Sequence, residues 1–334
     1  MAARPARVPE LRRRHLGPAE LGRTDPPRRP RVEENLSIVP EPALLERWSG
    51  EDVRLADVES QLARLREATA EEGSPPSIRT SVMTHIAWVP EEWADAARAT
   101  LAGMAEEHPS RTLLLVPLPD SGHDRIDAEA SVECYRLPGT ERHVCSEVVE
   151  LQLHGPRAKA PASVVSPLLI SDLPVFCRWR GEPPFGSPEL DQLVAIADRL
   201  IVDSTEWEDL PYAYTRLAEL FERTAVSDIA WARTARWRAL LASLWPEIGD
   251  VSAIRVHGTA AQAYLLAGWL RSRLGRELAL EHVESDRLEG IDLDGEPAPF
   301  PPGDPPSPSN VLSEELDRFT RDPIYEAAVR SASS

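Results

Sequence analysis

Residues 164–207 read VVSPLLISDLPVFCRWRGEPPFGSPELDQLVAIADRLIVDSTEW, and the fold class follows from them. An apolar run closes at Ile170. Ser171-Asp172-Leu173-Pro174 then predicts a turn, because proline fixes φ and biases the residue before it away from helix. Val175 to Trp179 predicts a short strand, after which Gly181, Pro183, Pro184 and Gly186 break the chain. Pro188 sits where the first turn of a helix tolerates it, with Ser187 as its cap, so a helix is expected over 188–197. Arg199 to Ser204 predicts a buried strand with polar residues at its C-terminal edge. Strand, crossover helix and strand imply two parallel strands with a right-handed connection. Between them lies a loop, Arg178 to Phe185, whose arginines and aromatics a core alone does not require.

The flanking sequence extends this pattern. Leu55, Val58, Leu62, Leu65 and Thr69 predict an amphipathic helix, and Arg79 to Val89 a strand apolar on both faces. Pro90 opens a helix over 91–107, and His108-Pro109-Ser110-Arg111 leads into a strand over 112–118. Ser131 to Leu137 and His143 to Leu153 read as a hairpin joined at Pro138-Gly139-Thr140. Helices are expected around Leu210 to Phe221 and over 228–245, the second with Arg233, Arg236 and Arg238 along one side. A smaller α/β unit follows: strand Ala253 to Val256, a helix capped by Thr259 and ended by Gly275, and strands over 277–283 and 288–293. The Pro-rich run 297–308 predicts an extended linker before a final helix to about Ala328. The expected fold is α/β, with a mixed, mostly parallel sheet and flanking helices in a main domain over 51–225 and a smaller α/β domain over 226–334.

Residues 1–50 read as a basic Pro/Arg-rich arm followed by an irregular lead-in over 32–50 with little periodicity. Met1 to Arg31 holds nine arginines against three acids, lacks an apolar core segment, and predicts a disordered arm, with no signal peptide or membrane span. The whole chain carries a formal charge of −18, which argues against a nucleic-acid-binding face over the folded body. Three cysteines, Cys134, Cys145 and Cys177, show no CxxC spacing. That odd number suits structural thiols in a reducing cytoplasm and argues against a disulfide framework or a zinc site. Cys177, beside Arg178, is the redox candidate.

Mechanistic motifs are absent: there is no GxGxxG after a strand, no GxxxxGK[ST], no HExxH and no GxSxG. No catalytic residue, cofactor or metal is therefore assigned. Asp292-x-Asp294-Gly295 lacks the length of a calcium loop. His85 reads as a core histidine, and His123-Asp124 as solvated loop. Glu147 shares strand parity with Cys145, Val149, Leu151 and Leu153, a carboxylate on an apolar face. The reading favours a bulge or an exposed strand end over a carboxylate held by a partner. Backbone amides at Gly258-Thr259 and Ser204-Thr205 are weak anion-site candidates, each better read as an ordinary strand-to-helix turn.

The Leu-Pro-Val at 173–175, Trp179, the Gly-x-Pro-Pro-Phe at 181–185 and the Asp-Arg-Leu-Ile-Val-Asp-Ser at 198–204 resemble the central signature of the OpcA family, the assembly and activating proteins of glucose-6-phosphate dehydrogenase. Arg79-Thr80-Ser81, His108-Pro109-Ser110-Arg111, Trp237 to Leu241, Leu266 to Leu270 and Ile324-Tyr325 resemble it in the same order. A Cys and a Glu recur in the family near Glu147. Two departures stand out: members often carry two tryptophans where this chain has Arg178-Trp179, and the C-terminal β segment is short. The resemblance implies a non-catalytic, cytoplasmic assembly factor and allosteric activator that acts by protein–protein interaction and supports NADPH production in the oxidative pentose phosphate pathway. Its implied partner is the dehydrogenase, with no nucleic acid and no membrane. The competing class is a sugar-phosphate- or nucleotide-binding α/β enzyme or ligand sensor. On the partner reading, Arg178, Trp179, Arg180, Pro183, Pro184 and Phe185 are the interface candidates, with the arginine side of the 228–245 helix as the other surface.

Overall fold

The computed structural model describes residues 44–71, 81–102, 109–136 and 143–333. The basic arm, Arg79-Thr80, His108 and the hairpin turn at Pro138-Gly139-Thr140 lie outside them. In chain order the elements are β1 (Leu44–Gly50), α1 (Leu55–Glu71), β2 (Thr84–Trp88), α2 (Ala94–Ala102), β3 (Arg111–Leu118), β4 (Ile126–Arg136), β5 (His143–His154), α3 (Pro161–Val165), β6 (Val175–Trp179) and α4 (Pro188–Ile196). Then come β7 (Arg199–Val202), α5 (Tyr212–Leu220), β8 (Ala225–Asp228), α6 (Ile229–Arg233) and α7 (Ala235–Ser243). The last are β9 (Ala253–Gly258), α8 (Ala260–Leu274), β10 (Ala279–Glu284), β11 (Gly290–Leu293), β12 (Glu296–Pro297), α9 (Pro308–Leu316) and α10 (Pro323–Ala332).

An eight-stranded sheet has the order β1-β4-β5-β3-β2-β6-β7-β8. From β5 to β8 every neighbouring pair is parallel, and β4 and β1 add antiparallel pairs at one edge. A second sheet, β10-β9-β11-β12, is mixed, with β10 parallel to β9. The expected α/β class, a mostly parallel main sheet followed by a smaller one, is the observed architecture.

Both faces of the main sheet are buried, which is why its parallel strands read as continuous apolar runs. On one face Ile86, Leu113, Cys177 and Leu200 join the large core beneath α1, α4, α5 and α8, which continues to Ile254 and Val256 of β9. On the other face α9 covers Phe176 and Ile201 through Val311 and Leu312, and α2 covers Ala87 and Leu114. Helix α10 packs on α8 so closely that a Cβ at Gly268 would sit 2.2 Å from the Ala328 carbonyl oxygen. Only glycine fits there.

Several local expectations change. Leu44–Gly50, read as irregular, is an edge strand in register from Leu44 opposite Cys134 to Gly50 opposite Ala128; backbone hydrogen bonds place it where side-chain alternation does not. β8 has four residues, too few to show a period. The helix expected over 228–245 is two, because the Thr234 hydroxyl donates to the Trp231 carbonyl (2.7 Å) at the break. The final helix is also two, since Asp322 caps α10 and Pro323 starts it. Ser187 and Thr259 cap α4 and α8 as expected, Thr259 in a reciprocal box with Gln262.

Two readings are overturned outright. β5 pairs with β3 and β4 without a bulge, and Glu147 is a buried carboxylate held by Arg111 at 2.7 Å and Arg66 at 3.2 Å. Arg111 also donates to Glu59 (2.6 Å) and to the Leu168 carbonyl (2.9 Å). The structure also joins Cys134 and Cys145 by a disulfide, contrary to the structural-thiol reading. These cysteines face each other across the β4–β5 pair, so strand register brings together what sequence spacing left apart.

Candidate functional site

The crossover after β2 lies on the α2 face and the crossover after β6 on the α4 face, so the connections diverge between these neighbouring strands. In open α/β sheets that divergence leaves a crevice at the C-terminal strand ends. Here the chain fills most of it. Trp88 at the end of β2 and Trp179 at the end of β6 are paired in register and stacked, ring centroids 5.0 Å apart at 19°. Trp179 is 3% exposed, so it supports the sheet end from within.

The 178–187 loop turns at Gly181 and Gly186, whose φ values of 78° and 83° require glycine. It is fastened to the neighbouring strand end. Gly181 N donates to Glu206 (2.7 Å), Trp207 Nε1 donates to the Gly181 carbonyl (3.2 Å), and Arg216 donates to the Phe185 carbonyl (2.9 Å). Phe185 meets Trp207 edge to face at 5.8 Å. What remains outward is an open groove of about 370 Å³ lined by Pro183, Pro184, Phe185, Tyr212 and Arg216. Pro184 is exposed, Phe185 half-buried and Pro183 buried; Tyr212, 58% exposed, is an addition that the sequence reading missed. It opens α5 with a large apolar ring on the solvent side, a departure from the amphipathic pattern.

Beneath the loop lies a buried charge cluster. Arg180 Nε is 2.8 Å from Glu206 and its guanidinium lies 4.9 Å from the Trp93 ring centroid. Arg233 pairs with Asp203 at 3.0 Å. Burial pushes Asp203 upward, but Arg233 and Arg178 outweigh it and hold this carboxyl below its ordinary range. Burial, then the Asp203 charge, raises Glu206. Asp228, at the end of β8, accepts from Ser204 N (3.1 Å), Ser204 Oγ (2.7 Å), Ala230 N (2.9 Å) and Tyr325 OH (3.3 Å). Burial and then Asp203 raise its pKa to about 7.

The other sequence candidates separate. Arg178 and Trp179 are buried and Arg180 is partly covered, so the structure brings the arginines to the cluster rather than to the surface. Cys177 is a free thiol with no exposed area, and burial pushes its pKa up to about 12, which keeps it protonated and sheltered. Both amide anion candidates are occupied: Ser204 N donates to Asp228, Thr205 N to Asp203 and Thr259 N to Gln262. Asp292 pairs with Arg255 and His257, Asp294 accepts from Ser252 and Ala253, and Asp124 pairs with Arg157. Among the described residues no group of three His, Cys, Asp or Glu side chains could hold a metal, and no described helix is long and apolar enough to cross a membrane. On the arginine side of α6 and α7, Arg236 donates to the carbonyls of Pro301, Pro302 and Gly303, and Arg238 lies over the Trp231 ring. The chain's own Pro-rich segment therefore covers much of that alternative surface.

Residues 102–219 match the family described as glucose-6-phosphate dehydrogenase subunit N-terminal domain, and residues 224–299 match the corresponding C-terminal domain. The chain belongs to the OpcA family. A relative from Nostoc punctiforme is 30% identical over 183 residues, 51% of this chain and 39% of the relative. One from Synechococcus elongatus is 27% identical over 227 residues, 60% and 50% of the two chains, and one from Synechocystis is 27% identical over 185 residues, 51% and 38%. All three carry the provisional name OxPP cycle protein OpcA. The matched stretches span at most half the length of these relatives. The first matched domain contains the whole of the 178–187 loop, the groove and the cluster residues Asp203 and Glu206, and the second contains Asp228 and Arg233.

Proposed function

We propose that this OpcA-family chain is a non-catalytic assembly factor and allosteric activator of glucose-6-phosphate dehydrogenase, acting in the cytoplasm and supporting NADPH production in the oxidative pentose phosphate pathway. The observation that carries the reading is the pair of dehydrogenase-subunit domains matched in chain order over residues 102–299. The filled crevice supports it. Where an α/β enzyme would hold a dinucleotide or sugar phosphate, stacked tryptophans and satisfied strand-end amides stand instead. Such a protein raises its partner's activity only by binding the active state more tightly than the inactive one.

The partner surface we assign is the groove at Pro183, Pro184, Phe185 and Tyr212, with Arg178, Trp179 and Arg180 holding the loop from below. A loop already fastened at both ends loses little entropy on docking, and an exposed aromatic beside it has the character of an interface hot spot. The two matched segments meet between 219 and 224, close to the division at 225, and we take the parts on either side as separate domains of the assembly factor.

The test is co-purification with the host's own dehydrogenase and its activity with and without this chain. Stimulation that falls at least tenfold in Tyr212→Ala, with an unchanged melting temperature, is the expected result. NADP reduction from glucose-6-phosphate by this chain alone would sink the non-catalytic reading. Full stimulation by Tyr212→Ala and by Pro184→Ala would move the interface elsewhere.

A further inference from the structure

A small cavity lies at the divergence of β2 and β6, on the face opposite the Trp88–Trp179 stack. Ala87, Val89, Ala97, Leu101 and Leu312 give it apolar walls, and Arg178, Arg180, His85 and Thr100 supply its polar lining. Its volume is about 10 Å³, room for a single guest the size of a water molecule.

Arg178 is 8% exposed. Its closest carboxylate oxygen, on Glu206, is 3.7 Å from Nη2, beyond hydrogen-bonding distance, and among the described residues the Arg178 side chain makes no hydrogen bond. The surrounding charges do not cancel. Three guanidinium groups, Arg178, Arg180 and Arg233, share two carboxylates, Asp203 and Glu206, of which Glu206 is already engaged by Arg180 and Asp203 by Arg233. A buried cation with open donors and apolar walls is costly until something charged or polar sits against it.

We propose that this cavity binds a monatomic anion of the halide class, chloride in ordinary solution, held by the Arg178 guanidinium with Arg180 beside it. The excess positive charge favours an anion over a neutral water. The volume excludes phosphate and other polyatomic oxyanions unless α2 or α9 moves. The bound anion ties the end of β6 to α2 and α9, below the loop that carries the groove, and the inference stands whether or not that groove is the partner surface.

Thermal unfolding of the full chain in sodium chloride or bromide against sodium gluconate, at matched ionic strength, tests it. A saturable rise in melting temperature with halide alone is expected, because a ligand bound only by the native state stabilises it by mass action. General salt effects run the other way, since gluconate is the more excluded anion. Arg178→Met should abolish the halide dependence. Should that variant fail to fold, crystals of the unaltered protein soaked in bromide decide: an anomalous peak beside Arg178 is expected. Equal melting temperatures in chloride and gluconate, a halide dependence retained in folded Arg178→Met, an empty site in bromide, or equal stabilisation by inorganic phosphate would each overturn the proposal.

Discussion

Asp228 makes the stability of this protein depend on pH through one buried carboxyl. Its pKa is raised from 3.8 to about 7 by burial and then by the Asp203 charge. The folded chain therefore binds this proton more tightly than the unfolded chain does. Its contribution to stability is greatest below about pH 4, falls as pH rises from there to about 7, and is constant above. A shift of about 3 units, at roughly 1.4 kcal/mol per unit, corresponds to a loss on the order of 4 kcal/mol across that window, an upper bound because the site relaxes around the charge. Asp228→Asn removes the titration and keeps the shape. The amide oxygen can still accept from Ser204 N and Ala230 N, and its NH₂ can donate to Ser204 Oγ, which then donates to Tyr214 OH at 2.9 Å. Urea unfolding of both proteins, followed by tryptophan fluorescence from pH 4.5 to 8, gives the difference in stability directly. Glu206 and Glu315, also raised by burial, and Asp203, held low by Arg233 and Arg178 against its burial, are common to both proteins and cancel to first order. The unaltered protein should lose about 2 to 4 kcal/mol relative to Asp228→Asn over this range. A difference that stays flat within about 1 kcal/mol would refute the reasoning, and would mean that the four donors hold Asp228 ionised throughout.

Glu147→Ala should cost about 3 kcal/mol, because it strips a buried Arg111 of one carboxylate while Glu59 and the Leu168 carbonyl remain; a loss under about 1 kcal/mol in denaturant unfolding would contradict that. Trp179→Ala should cost about 3 to 5 kcal/mol, and a double-mutant cycle with Trp88→Ala should return a coupling of about 1 kcal/mol. Additive effects would show that the stack contributes only buried area. Alkylation under non-reducing conditions should label no thiol in the native protein and Cys177 alone after unfolding. Three labelled cysteines in the unfolded chain would contradict the Cys134–Cys145 bond.

Sequence alone determined the local grammar of this protein. The strand, crossover helix and strand of 175–202, the Ser187 and Thr259 caps, the buried parallel strands and the smaller sheet all follow from proline and glycine positions, capping residues and apolar period, each acting within about ten residues. The signature at 173–204 also carried the family, because ordered short motifs need no contacts to be recognised. The missed strands β1, β8 and β12 are those whose place is set by backbone pairing, with too short or too mixed a pattern to declare itself.

Only the tertiary structure decided how distant residues meet. Arg111 finds Glu147, Cys134 finds Cys145, Trp88 stacks on Trp179 and Tyr325 reaches Asp228, because strand order and register bring them together. The same order turned Arg178 and Trp179 from candidate surface into interior, and left Pro184 and Tyr212 facing solvent. A residue's chemistry is written in its own letter, but its burial is a property of every strand and helix packed around it.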